Sequence, residues 1–203
     1  MINNKYFITG IGTDIGKTVI SALLIEKLKA DYWKPIQAGN LEDSDSHFIQ
    51  KFTNCKKIHP EQFKLTEPMS PHAAAKIDNI NINLNEFKIP STNYPLIIEG
   101  AGGLMVPIND NDLVLNLIKH FNIPVIIVSK NYLGSINHTL LTIEVLMKNN
   151  IQIKGVIFNG DSNPETERII VLQTGIHILG KIPTIEKITK DSIIHYSQEI
   201  HIS

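Results

Sequence analysis

With 203 residues, 42% of them hydrophobic, and a formal net charge of -1, the chain is long enough to bury one sizeable core and short for two, so a single domain over residues 1–203 is expected. No basic block suggests nucleic acid or a polybasic membrane anchor, and neither a signal segment nor an apolar run of bilayer length is visible. Cys55 is the only cysteine, which excludes an intrachain disulfide and a cysteine-built metal cage and suits a reducing compartment, the cytoplasm by default.

In chain order, an apolar run from Tyr6 to Thr9 leads into Gly10-Ile11-Gly12-Thr13-Asp14-Ile15-Gly16-Lys17-Thr18 and a helix-like stretch from Thr18 to Ala30. Further strand-length runs cover Tyr32 to Ile36, Leu96 to Ile98, Val125 to Ser129, Gly155 to Phe158 and His177 to Leu179. Helical patterns lie at Asp45 to Phe52, Asp112 to Phe121, Ser135 to Asn149 and Pro164 to Thr174, and Ser70-Pro71-His72 reads as a capped helix start. Runs that are apolar at consecutive positions are strands covered on both faces, and their alternation with helices predicts a doubly wound α/β fold with a mostly parallel sheet and helices on both faces. The stretch Asp78 to Asn85 alternates Asn with Ile or Leu and reads as a strand or a biased surface loop. Beyond Pro183 the pattern carries little signal.

Ligands in such sheets collect at the carboxyl ends of the strands. Each predicted strand delivers glycine or polar residues there: the glycine loop, Lys34-Pro35-Ile36-Gln37-Ala38-Gly39, Glu99-Gly100-Ala101-Gly102-Gly103, Ser129-Lys130 and Asn159-Gly160. Strand, glycine turn and Gly-Lys-Thr opening a helix form the arrangement that wraps a polyphosphate in backbone N–H groups, with Lys17 as a mobile cation and Thr18 as a hydroxyl for Mg2+. The spacing departs from the common phosphate loop, because Ile11 stands where a glycine is usual. Glu99, at a strand end before glycines, is read as a metal carboxylate opposite Thr18. Residue pattern alone makes Asp45 a helix cap, leaves Lys34 open between a surface lysine and a group neutralising phosphoryl charge, and leaves Asn159 open between a turn residue and an adenine reader. His72 reads as structural. At this level the chain is an Mg-ATP enzyme or an Mg-ATP switch with a P-loop NTPase-like fold.

Taken together, the glycine loop, Lys34 to Gly39, Ser44-Asp45, Ser70-Pro71-His72-Ala73-Ala74, Glu99 to Gly103 and Leu133-Gly134-Ser135-Ile136-Asn137-His138 resemble the dethiobiotin synthetase family in order and spacing, from residue 6 to about residue 183. The resemblance implies a cytoplasmic homodimer that uses Mg2+, ATP as co-substrate and CO2 to close a ureido ring on 7,8-diaminononanoate, through a carbamate and a carbamic-phosphoric anhydride. It implies Lys17 and Lys34 as catalytic residues and Thr18, Asp45 and Glu99 as Mg2+ ligands, which replaces the cap reading of Asp45. For the nucleotide it implies Asp14, Ile15, Gly16, Lys17, Thr18 and Val19, the strand-end residues Glu99, Gly100, Ala101 and Gly102, and, around the base, Asn159, Gly160, Ile182, Pro183 and Thr184. For the diamine it implies Thr13, Lys17, Lys34 and Ala38. Two departures stand out: Ala38 replaces a usual Ser or Thr, and the acidic residue expected near the base has only Glu186 as a candidate. The rival reading, a partitioning or septum-positioning ATPase, would carry a further lysine early in the loop, where this chain has Gly10-Ile11-Gly12. A related amidoligase would need a catalytic cysteine domain, and Cys55 lies in an undistinguished context.

Overall fold

A computed structural model describes residues 5–202; Met1 to Asn4 and Ser203, the ends of the expected domain span, lie outside the described residues. The strands are β1 (Lys5–Gly10), β2 (Asp31–Trp33), β3 (Ile36–Ala38), β4 (Ile58–His59), β5 (Phe63–Leu65), β6 (Leu96–Gly103), β7 (Val125–Lys130), β8 (Ile153–Asn159) and β9 (Ile178–Ile182). The α-helices are α1 (Lys17–Leu28), α2 (Asp45–Phe52), α3 (Pro71–Ile77), α4 (Val114–Phe121), α5 (Ser135–Lys148), α6 (Pro164–Thr174) and α7 (Lys190–Ser197).

Seven strands form one sheet in the order β4-β2-β6-β1-β7-β8-β9, every pairing parallel. Alternate residues of the apolar strands feed two cores. Phe7, Trp33, Leu96, Ile98, Val125, Ile127, Val156 and Phe158 point to one face, where α3, α4, α5 and α6 supply Ala74, Ile118, Phe121, Leu146 and Ile170. Tyr6, Ile8, Tyr32, Ile97, Ile126, Val128 and Ile157 point to the other, beneath α1, α2 and α7. That two-sided burial is why the strands read as unbroken apolar runs. Chain direction across the sheet reverses beside β1, which lies between β6 and β7, so the loop after β1 sits at the switch point where a cleft opens.

Several expected boundaries shift. The run Tyr32 to Ile36 is two strands: Pro35 ends pairing to β6, and β3 leaves the main sheet to pair with β5 in a second, two-stranded sheet. The fourth helix begins at Val114, after a bridge between Pro107 and Leu113, rather than at Asp112. The strand expected at His177 to Leu179 runs as Ile178–Ile182. The Asn-rich stretch is no strand; it is irregular, ends in a 3-10 turn at Leu84–Glu86, and drives Ile82 and Phe87 into the core. Beyond Pro183 the chain forms α7, whose Ile193 is fully buried and which packs on α1.

Candidate functional site

Gly10 ends β1, and Gly16 adopts φ +87°, a left-handed conformation that turns the chain into α1 at low steric cost. No acidic residue of α1 itself lies in its first turn, so the positive end of that helix faces the loop without a carboxylate of its own. Lys17 is 8% exposed and donates from Nζ to the carbonyl of Gly12, 3.1 Å away, across the mouth of the loop. Burial, reinforced by the charge of Lys34, holds the Lys17 ammonium below its ordinary range against the pull of Glu99 and Asp45.

Three oxygens converge beside it. Thr18 Oγ1 lies 2.6 Å from Asp45 Oδ1 and 3.0 Å from Glu99 Oε1. Asp45 comes from the start of α2, where Ser44 provides the cap by accepting from the His47 N–H; Asp45 is therefore free of the capping duty that its sequence context suggested. Lys34 Nζ pairs with Asp45 Oδ2 and lies 3.4 Å from Glu99 Oε1. At 7% exposure Lys34 is no surface lysine. Burial pushes its pKa down, and the two carboxylates more than reverse this, leaving it raised. Asp45 shows the mirror case: burial raises it, and Lys34 and the Thr18 hydroxyl bring it below the usual carboxylate range. Fully buried Tyr32 donates its phenol to Glu99 Oε2 at 3.0 Å, and burial together with the Glu99 charge pushes that phenol well above its ordinary value.

Lys17, Thr18, Lys34, Asp45 and Glu99 line a cleft of about 800 Å³ that also takes in Thr13, Asp14, Gly16, Val19, Ala38, Ala101 and Gly102. Gly102 sits at φ +67°, and a Cβ there would press on Val106 at 2.8 Å. Two of the nucleotide candidates are buried. Gly100 is buried where a Cβ would meet the Phe7 ring at 2.7 Å, so its missing side chain serves packing between β6 and β1. The Ile15 side chain is buried, and its carbonyl accepts from Asn159 Nδ2. An all-oxygen set of one hydroxyl and two carboxylates, with a lysine already balancing the negative charge, suits Mg2+. Among the described residues no three His, Cys, Asp or Glu side chains gather as a metal-holding group.

A family model described as an AAA domain matches residues 4–192. An ATP-dependent dethiobiotin synthetase of Cytophaga hutchinsonii is 50% identical over 97% of this chain and 96% of its own length. The corresponding enzyme of Christiangramia forsetii is 52% identical over 88% of this chain and 86% of its own. The chain belongs to the dethiobiotin synthetase family. Solved structures of the MinC:MinD cell division protein complex of Aquifex aeolicus (TM-score 0.54, 16% identity, 96% of this chain and 94% of that one) and of a ParA-family ATPase from Chlorobium tepidum (TM-score 0.53, 14% identity, 98% and 100%) share the fold.

The base residues that the dethiobiotin synthetase resemblance assigns lie outside the main cleft, one step along the same sheet edge. Lys130, Asn159 and Ile182 are neighbours across β7, β8 and β9. Asn159 Nδ2 donates to the Ile15 carbonyl at 2.8 Å, and a Cβ on Gly16 would collide with that amide. Gly160 N–H donates to the Ile182 carbonyl at 2.8 Å, and the Thr184 hydroxyl donates to Asp161 Oδ1 at 2.8 Å. Pro183 is exposed beside them, as is Glu186. Dethiobiotin synthetase motifs did not flag Tyr32 or Asp43; Asp43 lines the cleft from the turn before α2. A tyrosine inside a short apolar strand looks like any core residue, and only the fold brings its phenol to Glu99.

Proposed function

We propose that the chain, an ATP-dependent dethiobiotin synthetase by family, works as one phosphate-loop domain that turns 7,8-diaminononanoate, CO2 and ATP into dethiobiotin, ADP and phosphate in the cytoplasm. The observation that carries this reading is the convergence of Lys34, Thr18, Asp45 and Glu99 in a cleft that is also lined by the phosphate loop, Thr13 included, and by Ala38.

The triphosphate would lie along the loop N–H groups and the N-terminus of α1, with Lys17 leaving the Gly12 carbonyl for the terminal phosphates. Thr18, Asp45 and Glu99 would hold Mg2+, which would supply positive charge to offset that of the phosphates. CO2 captured by one substrate amine gives a carbamate. Lys34 would move from its carboxylates to that anion and steady the charge as a carbamate oxygen attacks the γ-phosphate. The second amine then attacks the carbamoyl carbon of the mixed anhydride, closes the ring and expels phosphate. The anhydride must be kept from water.

Shielding by a second copy suits this chemistry. Leu133, Ile136 and Leu141 at and within α5, together with Met105, are exposed, and a cavity of about 360 Å³ lined by Ile11, Leu104, Met105, Val106 and Leu141 borders the same Thr13 that faces the cleft. An apolar face of this kind supports a homodimer. Purified protein given the diamine, bicarbonate and Mg-ATP should form dethiobiotin, detected by mass spectrometry, only when every component is present. ATP hydrolysis driven instead by DNA or lipid, with no product, would move the assignment to the switch ATPases.

A further inference from the structure

The carboxylate of Glu167 has no part in the chemistry above, yet it is a heavily used buried group. Glu167 stands in the first turn of α6 at 1% exposure. Its Oε1 accepts from Asn131 Nδ2, from the Ser162 hydroxyl and from the Asn163 N–H, each at 3.0 Å, while Oε2 lies 2.6 Å from Lys181 Nζ. Those four donors come from three separate places: the loop after β7, the loop after β8, and β9 itself. Asn131 Nδ2 also donates to the Asp161 carbonyl at 3.0 Å, and Asp161 in turn holds the Thr184 hydroxyl. One carboxylate thus ties together the three strand ends that carry Asn159, Gly160 and Ile182 to Thr184.

We infer that Glu167 is the positioning residue of the nucleotide-base pocket, fixing the spacing of the loops after β7, β8 and β9 so that Asn159 meets a purine edge. The inference rests on reading Asn159 as the base contact. A buried carboxylate is costly unless its lone pairs are filled. Here burial raises the Glu167 pKa, and Lys181 with the three donors more than reverses this, leaving it lowered. The division of labour is readable from the two oxygens: Oε1 gathers the loops and Oε2 meets the counter-charge. Asn159 keeps a carbonyl oxygen and one amide hydrogen after serving the Ile15 carbonyl, the pair needed to bond both an amino group and a ring nitrogen of adenine. Such two-point contact demands registration within tenths of an ångström, which loops held only by their own backbone do not provide.

Steady-state kinetics with ATP and GTP, run below the melting temperature of each variant, test this. Glu167→Ala is expected to raise KM for ATP about tenfold, to leave kcat within about twofold, and to erode the preference for ATP over GTP by a similar factor, the scale of one aligned hydrogen bond. The double variant Glu167→Gln, Lys181→Met keeps the gathering oxygen and removes the unmatched charge, and should recover most of the preference. Asn159→Ala serves as the reference. If it loses the preference while Glu167→Ala merely melts earlier, with KM and discrimination unchanged, the positioning role is overturned and the base site stands. If neither substitution alters discrimination, the base-site reading and the inference fall together. Should Glu167→Ala not fold, Asn131→Ala severs the same link from the other side; unchanged KM and discrimination there overturn the inference equally.

Discussion

Replacing Lys34 by Met removes the cation that, among the described residues, touches both candidate metal carboxylates. The side chains of Lys34 and Glu99 are 8% and 1% exposed, and that of Asp45 is 27% exposed. Breaking a buried pair from one side strands the partner charge, typically at 3–5 kcal/mol. Glu99 retains the Tyr32 phenol, and Asp45 retains the Thr18 hydroxyl and reaches solvent, so the lower end applies: about 3 kcal/mol. For a domain of this size that corresponds to a fall in Tm of roughly 6–12 °C. Lys34 has a raised pKa, so its contribution is complete below its ordinary 10.5 and fades only as pH rises through the raised folded value. Asp45 has a lowered pKa, so its contribution is complete above 3.8 and is lost as pH falls through the lowered value. The deficit of Lys34→Met is therefore flat across the neutral range. Mg2+ should raise the Tm of the variant more than that of the wild type, because the ion no longer competes with an ammonium for the same oxygens. Differential scanning calorimetry with and without millimolar Mg2+ reads all of this alongside product formation, which should be lost. A variant with wild-type Tm, no added response to Mg2+ and normal turnover would refute both the buried pair and the role of Lys34.

Gly16→Ala introduces a Cβ at φ +87° against the Asn159 amide; a cost of about 1–3 kcal/mol is expected in stability, with weakened ATP binding by calorimetry, and unchanged binding would refute the packing. Lys17 titrates below its ordinary 10.5, so in the window between its lowered value and 10.5 the folded protein binds fewer protons than the unfolded chain and stability rises with pH. Triphosphate should push that value back up, so ATP binding takes up protons in the same window; titration calorimetry in two buffers of different ionisation enthalpy should show it, and Lys17→Met should abolish it. Ala38→Ser restores the hydroxyl usual in this segment and should lower KM for the diamine about fivefold, the worth of one neutral hydrogen bond. Leu141→Arg should yield a monomer by light scattering with impaired ring closure; a fully active monomeric wild type would contradict the dimer.

Much of the site was legible because phosphate chemistry writes itself into contiguous sequence. A loop that must present N–H groups, a lysine and a hydroxyl does so within Gly10 to Thr18, and strand-end Glu99 announces itself by the glycines after it. Residues that act through partners distant in sequence were not legible. Glu167 sits in an ordinary helix start, and its donors lie as far away as Asn131; nothing local marks it. Tyr32 hides for the same reason. That Lys34 is buried and pairs with Asp45 could not be read from residue pattern, since a lysine before proline is compatible with the surface and an aspartate after serine with a helix cap. In the fold, long two-sided strands were found and short ones missed: Ile58–His59 is too brief to show a period, and β3 departs from β2 at a proline that the apolar run concealed. Helix α7 escaped because its buried face rests on few residues, chiefly Ile193 and Ser197.

The phenol of Tyr32 also bears on which ions the cleft accepts. With Oε2 of Glu99 committed to that buried hydroxyl, the carboxylate offers an incoming ion one oxygen. Calcium favours seven or eight ligands and commonly takes a carboxylate through both oxygens; magnesium asks for six in strict octahedral array and is content with single-oxygen contacts. A fully buried tyrosine would thereby act as a size filter, and Tyr32→Phe, by freeing the second oxygen, would open the cleft to the larger ion.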